Sequence, residues 1–214
     1  AGLLVHRSSI DRHENENAMK FVRDQLGQWV YSIHRLDKAT SGVLVFALDQ
    51  ETARRMTRSF TEEAIAKTYL AIVRGVAKDS ERIDHPLKDR GDTMTGQEQS
   101  DRLGKRSVTD YRRLATVELP QPVGRYTTAR YSLVAAAPLT GRTHQIRRHM
   151  KHLFHPVVGD TTYGDGRQNE LFRRKFNCRR LLLHAATIEF SHPWTGRNLS
   201  IQAPLDHDFC AVLK

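Results

Sequence analysis

Cysteine is nearly absent from this chain of 214 residues, which contains only Cys178 and Cys210. Two thiols exclude a disulfide framework and a four-thiolate metal site. One bridge between them is possible, but two reduced thiols are the simpler expectation. No apolar stretch approaches the length of a membrane span, and the first residues do not resemble a signal peptide. We therefore expect a cytoplasmic protein without membrane contact.

Several motifs that identify common enzyme classes are also missing. The chain has no Walker loop, no GxGxxG and no GxSxG, so nucleotide-cofactor and acyl-transfer chemistry have no support. His144, His149, His152 and His155 lie close together in the chain. They lack HExxH spacing and a cysteine pair, which makes them weak candidates for a metal site. The residues alone therefore offer no strong candidate for a metal or nucleotide-cofactor site.

Positive charge, in contrast, is in excess. Lys and Arg number 34 against 24 Asp and Glu, for a formal net charge of +10. Such an excess favours a polyanionic partner, most simply nucleic acid. General surface basicity is the alternative explanation of the same balance.

The hydrophobic pattern predicts many strands and few helices. Asp49 is placed to cap a helix over residues 50–60, and a short helix is predicted over 144–153. Predicted strands span residues 43–47, 68–73, 108–117, 126–135, 181–190 and 199–202. Without regular βαβ alternation, this order indicates an α+β fold with a mainly antiparallel sheet.

We expect a single domain over residues 1–214, with a lead-in strand upstream of Ala1. No internal repeat or long linker interrupts it. Residues 88–106 are polar and almost without apolar side chains, which is typical of a mobile loop.

Asp37 is the first candidate reactive group. Residues 34–43 read HRLDKATSGV, so Arg35 and Lys38 flank the carboxylate. Neighbouring cations favour the ionised form, which can act as nucleophile or base. Alternatively, Asp37 is a turn residue that caps the bend after it. A pair of carboxylates for glycoside hydrolysis can also be drawn from Asp37 and Asp160, but no feature of the sequence brings them together.

Two further segments carry candidate side chains. Tyr69 lies on the predicted strand in KTYLAIVRG, where a phenol either stacks on a nucleobase or belongs to the core. Residues 140–150 read TGRTHQIRRHM, a glycine turn that leads into a basic helix suited to phosphate. Arg147 can instead pair with a carboxylate such as Asp37, and a solvated basic face explains the same residues.

These motifs together resemble those of the RluA-type pseudouridine synthase family. HRLD followed by TSG resembles its catalytic motif, KTY with VRG its second motif, and GRTHQIR its third. HPVVGD at 155–160, YG at 163–164 and LHA at 183–185 follow in family order. Residues 22–28, 114–120, 124–128 and 164–169 are similar to the family's tRNA-modifying branch.

The resemblance implies that uridine in RNA is isomerised to pseudouridine without cofactor or metal. It implies that Asp37 is the catalytic carboxylate, either generating a glycal or forming a covalent adduct. Tyr69 would stack on the flipped base and assist proton transfer at C5, while Arg147 would pair with Asp37. Arg35 would fill the gap left by the base or hold phosphate, and Leu183 would support the pocket.

The resemblance also implies the partner. Four residues of the third motif are expected to contact RNA: Arg142, His144, Gln145 and Arg148. The loop at 88–106 and the hairpin around Arg125 are expected to clamp an RNA stem. We expect the substrate to be a uridine in the T-stem region of tRNA and the protein to be a monomer. Ribosomal RNA modified by the same chemistry, or RNA binding without catalysis, remain the alternatives.

Overall fold

The computed structural model describes residues 1–5, 16–62, 64–88 and 104–214. Most of the predicted loop at 88–106 lies outside the described residues. The chain divides into two compact units, one of residues 1–67 with 184–206 and the other of 68–183 with 207–214. The predicted α+β class is confirmed, and a single domain over the whole chain stays a prediction.

Five helices and nine strands are present in the described part of the chain. In chain order they are α1 (Ala18–Leu26), β1 (Tyr31–Ser32), β2 (Ser41–Gly42), β3 (Phe46–Ala47), α2 (Gln50–Thr61), β4 (Ala66–Arg74), β5 (Ser80–Asp84), β6 (Val108–Leu119), β7 (Ala129–Pro138), α3 (Gln145–His152), α4 (Gly166–Phe176), β8 (Leu183–Ser191), β9 (Asn198–Gln202) and α5 (His207–Leu213).

The first unit combines short strands with α2. Strand β2 pairs in parallel with β8, β8 pairs antiparallel with β9, and β1 pairs antiparallel with β3. Asp49 caps α2 as predicted, since its Oδ1 accepts the N–H of Thr52 at 2.8 Å. Met56 on α2 is buried in an apolar cluster with Ile33, Val43 and strand β8 residues Ile188 and Phe190.

The prediction of one strand over residues 43–47 was wrong. Gly42 has φ +116°, and a Cβ there would lie 2.1 Å from the carbonyl oxygen of Ala185 on β8. Only glycine permits that close approach of the two backbones. The N–H of Val45 then bonds to the His34 ring instead of a neighbouring strand. The apolar run is therefore divided between a connection over residues 43–45, of which Val43 is buried, and β3.

The second unit contains a four-stranded antiparallel sheet in the order β4-β7-β6-β5. Helix α4 packs on this sheet through Phe172, whose ring meets Tyr131 of β7 edge to face at 4.8 Å. Met150 on α3 and Val134 on β7 are fully buried. Antiparallel pairing predominates in both units, as the sequence predicted.

Most other predicted elements were confirmed, with shifted ends. Strand β7 begins three residues later than predicted, and β8 two residues later. Strand β5 and helices α1, α4 and α5 were not predicted. Both cysteines are free thiols, and Cys178 is buried. No helix in the described ranges is long and apolar enough to cross a membrane.

Candidate active site

Asp37 lies in the first unit on the loop between β1 and β2. The carboxylate residue is half-buried, whereas Arg35 and Lys38 on either side are exposed. A backbone hydrogen bond from the N–H of Thr40 to the carbonyl of Asp37, at 2.8 Å, closes a tight turn. The N–H of Gly2 donates to the carbonyl of Lys38 at 2.7 Å. Backbone contacts therefore fix the loop that carries the carboxylate.

His34 anchors the same loop through its ring. Its Nε2 accepts the N–H of Val45 at 3.0 Å, and the ring stacks on Phe60 with centroids 4.9 Å apart. Burial, helped by the positive charge of Lys67, lowers the pKa of His34 to about 4. The ring is therefore neutral at pH 7, as its role as acceptor requires. Sequence reasoning gave His34 no role, although it opens the catalytic motif.

Tyr69 lies in the second unit on β4, opposite Ala136 of β7, and is half-buried. Ala136 also pairs with Tyr111 on β6, so the small alanine separates two tyrosines in one row of the sheet. Side chains in register across antiparallel strands share a face. The sheet therefore fixes the position of Tyr69, and its stacking on a nucleobase stays a prediction.

Arg147 on α3 is buried and forms a forked ion pair with Asp160. Its Nε donates to Oδ2 at 2.7 Å and its Nη2 to Oδ1 at 2.9 Å, and the two side chains are 7% and 0% exposed. The guanidinium also lies 5.1 Å from the ring centroid of Tyr163. A bidentate contact of this kind fixes the plane of the guanidinium as well as its position. Pairing of Arg147 with Asp37 stays a prediction.

Asp160 is a structural counterion. Besides Arg147, its Oδ1 accepts the N–H groups of Thr162 and Tyr163 at 2.8 and 2.9 Å. Burial alone would raise the pKa of its carboxyl, but the hydrogen bonds from Arg147 and from the two backbone groups outweigh burial and lower it. An inverting or retaining glycosidase needs one carboxyl with a raised pKa as acid. Asp160 therefore does not fit the role of the acid. It does not fit the role of the ionised nucleophile or base either, because its side chain is 0% exposed and both oxygens accept hydrogen bonds within the protein.

Gln145 joins the start of α3 to β6. Its Oε1 accepts from the Thr140 hydroxyl at 2.7 Å and from the N–H of Arg142 at 3.0 Å. Its Nε2 donates to the carbonyl of Val108 and the hydroxyl of Thr109, both at 2.9 Å. This buried amide uses its hydrogen-bonding groups inside the protein, so the geometry lends no support to the predicted contact with RNA. Gln145 instead sets the position of the helix that carries Arg147.

The other residues predicted to contact RNA lie on α3 or directly before it. Arg142 is exposed, with its Nε bound to the carbonyl of Arg106 at 3.1 Å, and half-buried Arg148 donates to the carbonyl of Lys88 at 2.8 Å. His144 precedes the helix with φ 55°, and its Nδ1 lies 3.0 Å from the hydroxyl of Tyr163. These three residues remain candidates for RNA contact. The alternative interpretation of α3 as a wholly solvated basic helix is wrong, because Arg147 and His149 are buried.

Leu183 opens β8 and is buried, and its role as support for the pocket stays a prediction. The histidines considered as metal ligands have other partners. His149 contacts the Thr109 hydroxyl and the carbonyl of His85 through its two ring nitrogens, at 2.9 and 3.0 Å. The Nδ1 of His155 lies 2.8 Å from the carbonyl of Arg74. Within the ranges described, no three His, Cys, Asp or Glu side chains are grouped as metal ligands.

Two residues that complete the surroundings of Arg147 were not assigned these roles from the sequence. Asp160 lies 13 positions after Arg147 and Tyr163 lies 16 after it, too far for a pair on one helix. The available signals were the family segments HPVVGD and YG, which contain the two residues, and an acid one glycine after two buried valines. A carboxylate in that position needs a buried cation, but local spacing does not identify which one.

The chain matches a protein-family model and is similar to proteins of known family. A family model described as RNA pseudouridylate synthase matches residues 1–152. The chain is 50% identical over 209 residues to tRNA pseudouridine synthase C of Haemophilus ducreyi, covering 98% of this chain and 86% of that protein. It is also 50% identical over 214 residues to tRNA pseudouridine synthase C of Vibrio cholerae, covering 100% and 88%.

Solved structures agree on the fold. Human RNA Pseudouridylate Synthase Domain Containing 1 aligns with a TM-score of 0.69 at 30% identity, over 95% of this chain and 83% of that one. Human RNA Pseudouridylate Synthase Domain Containing 4 aligns with a TM-score of 0.72 at 24% identity, over 99% and 85%. At that lower identity the likeness concerns the fold alone.

Proposed function

The chain belongs to the RNA pseudouridylate synthase family, and from this premise we propose that it converts a uridine in the T-stem region of tRNA to pseudouridine. The observation that carries the proposal is the catalytic motif, in which Asp37 stands on a loop anchored by His34 and by backbone bonds. The tRNA substrate is supported by the names of relatives that match nearly the whole chain at 48–50% identity.

The reaction is an isomerisation. The bond between C1′ and N1 of uridine breaks, the uracil turns, and a bond forms between C1′ and C5. The proton of C5 is lost and N1 gains one, so no redox partner or cofactor is consumed. The target base must leave the stack before the reaction can begin. Asp37 either removes a proton from the sugar to give a glycal or attacks to form a covalent adduct.

The other roles follow the family motifs. Tyr69 on its rigid strand stacks on the flipped base and assists proton transfer at C5. Arg147 pairs with Asp37, and the Asp160 fork keeps its guanidinium oriented. Arg35, which is exposed beside Asp37, fills the gap in the RNA stack or holds a phosphate. We further propose that the enzyme acts as a cytoplasmic monomer.

Conversion of Asp37 to Asn tests the catalytic assignment. The amide keeps the size of the side chain but is neither a base nor a nucleophile, so pseudouridine formation in tRNA should fall at least about 10³-fold. Affinity for tRNA should remain near that of the wild type. Chemical mapping of pseudouridine, together with filter binding of the same tRNA, measures both quantities.

Asp24→Asn is the matched control, because Asp24 is exposed and forms only a surface pair with Lys20. It should retain full activity. Wild-type protein that binds tRNA but makes no pseudouridine in any RNA would favour the non-catalytic alternative. Pseudouridine that appears in ribosomal RNA but not in tRNA would favour ribosomal RNA as the substrate. Full activity of Asp37→Asn would refute the mechanism.

A further inference from the structure

A pocket lies in the second unit, at the tip of the β6–β7 hairpin. It is lined by the Arg74–Gly75 turn, residues 123–130 and the first turn of α4, and we call it the hairpin pocket. Its volume is about 510 Å³, within the range of ligand sites in proteins. No residue assigned above to catalysis or to the RNA contacts of the third motif lines it, whereas the hairpin around Arg125 was expected to clamp an RNA stem.

The hairpin pocket is strongly basic. Four arginines line it, Arg74, Arg125, Arg130 and Arg167, against one carboxylate, Asp165. Its Oδ2 accepts a hydrogen bond from Nη1 of Arg74 at 2.7 Å, and its Oδ1 accepts the N–H of Arg167 as the cap of α4. Arg130 and Arg167 are both exposed, and their side chains make no hydrogen bond or ion pair to any residue described. Two guanidinium groups are thus available to an anion.

The hairpin tip is built to hold an aromatic ring in solvent. Tyr126 is 58% exposed. Two backbone bonds between Val123 and Tyr126, at 3.0 and 3.3 Å, close the turn that carries it. The Nη2 of Arg125 donates to the Tyr126 hydroxyl at 3.0 Å. The ring therefore stands on an ordered turn with a cation beside it.

Helix α4 forms the facing wall. At Gly124, where φ is +64°, an added Cβ would lie 2.8 Å from Nη1 of Arg167. The arginine at the start of α4 therefore packs directly over the hairpin. Because the glycine leaves room for it, the Arg167 guanidinium lies over the same turn that carries the Tyr126 ring.

We propose that the hairpin pocket binds RNA outside the isomerisation site, with a phosphate at Arg130 and Arg167 and an unpaired base stacked on Tyr126. The proposal rests on the proposed function, because the RNA is the substrate. Arginines with an exposed aromatic ring are the combination that binds unpaired nucleotides. An acidic polypeptide would use the cations but has no need of the ring.

Neutral substitutions test the two halves of the pocket. Arg130→Gln and Arg167→Gln should each lower tRNA affinity roughly 3- to 10-fold and reduce the salt dependence of binding by about one unit of slope. Tyr126→Ala should lower affinity about 5- to 100-fold, and Tyr126→Phe should keep most of it. Filter binding across a KCl series measures both affinity and slope.

The matched control is Arg179→Gln, which removes one exposed positive charge from the second unit away from the pocket. It should change neither affinity nor slope. In kinetic assays the pocket variants should raise KM and leave kcat unchanged, because they do not contact the reacting base. These side chains are exposed, so circular dichroism should show the wild-type fold.

Binding and catalysis separate the two proposals. If Arg130→Gln and Arg167→Gln bind tRNA like Arg179→Gln, the pocket proposal is refuted even when the wild type makes pseudouridine. If the wild type makes none but the variants lose affinity, the proposed function fails and the pocket stands. Displacement of tRNA by polyglutamate as effective as that by poly(U) would refute the assignment to RNA.

Discussion

Replacement of Asp160 by Asn should destabilise the protein because it leaves Arg147 buried beside an amide. The Asp160 side chain is 0% exposed and takes four hydrogen bonds, two from Arg147 and two from backbone N–H groups. If the new amide keeps its oxygen towards the backbone donors, its NH₂ group faces the Nε–H of Arg147. Two donors then oppose each other where a charge-assisted bond existed.

Removal of one partner from a buried ion pair costs about 3–5 kcal/mol. That is a large share of the roughly 5–15 kcal/mol by which domains are stable. Urea unfolding followed by circular dichroism measures the loss as a lower midpoint with an unchanged slope. Pseudouridine formation should also fall, because Arg147 loses the contact that orients it.

Asp110→Asn is the matched control. Asp110 accepts a similar two-bond fork from Arg82, at 2.7 and 2.7 Å, but the side chains are 38% and 63% exposed. Water can replace the lost bonds there, so its unfolding midpoint should stay near that of the wild type. If Asp160→Asn behaves like Asp110→Asn, the reasoning is refuted. A double-mutant cycle with Arg147→Gln that proves additive would also refute it.

Two further predictions concern the loop that carries Asp37. The pKa of His34 is lowered from 6.5 to about 4. The contribution of the neutral ring to the free energy of unfolding is therefore complete above pH 6.5 and is lost as the pH falls through 4. This amounts to at most roughly 3 kcal/mol. Urea midpoints measured between pH 4 and 7 should fall less steeply for His34→Gln than for the wild type, and equal slopes would contradict this. Gly42→Ala should destabilise strongly because its Cβ meets the Ala185 carbonyl at 2.1 Å, whereas Gly166→Ala, with no atom within 4 Å, should be near neutral in thermal melts.

Elements whose signals are local were predicted well. Asp49 precedes α2 and caps it, and β4 carries the apolar run that identified it. Strand β5 was missed because Ile83 is its only apolar residue, which leaves no alternating hydrophobic pattern. Its formation depends on pairing with β6. Helix α4 was missed for a related reason. Its cap Asp165 was a usable signal, but most of its residues are charged or polar, and Phe172 is its only buried apolar residue.

By itself, the sequence determined the family, the catalytic motif around Asp37 and the basic character that favours RNA. These depend on residue type and on neighbours along the chain. Only the tertiary structure decided that Arg147 is buried against Asp160, that Gln145 is a structural amide, and that Tyr126 and Arg167 line one pocket. The physical reason is that burial and ion pairing depend on which elements cover a side chain, and that follows from how the whole chain packs.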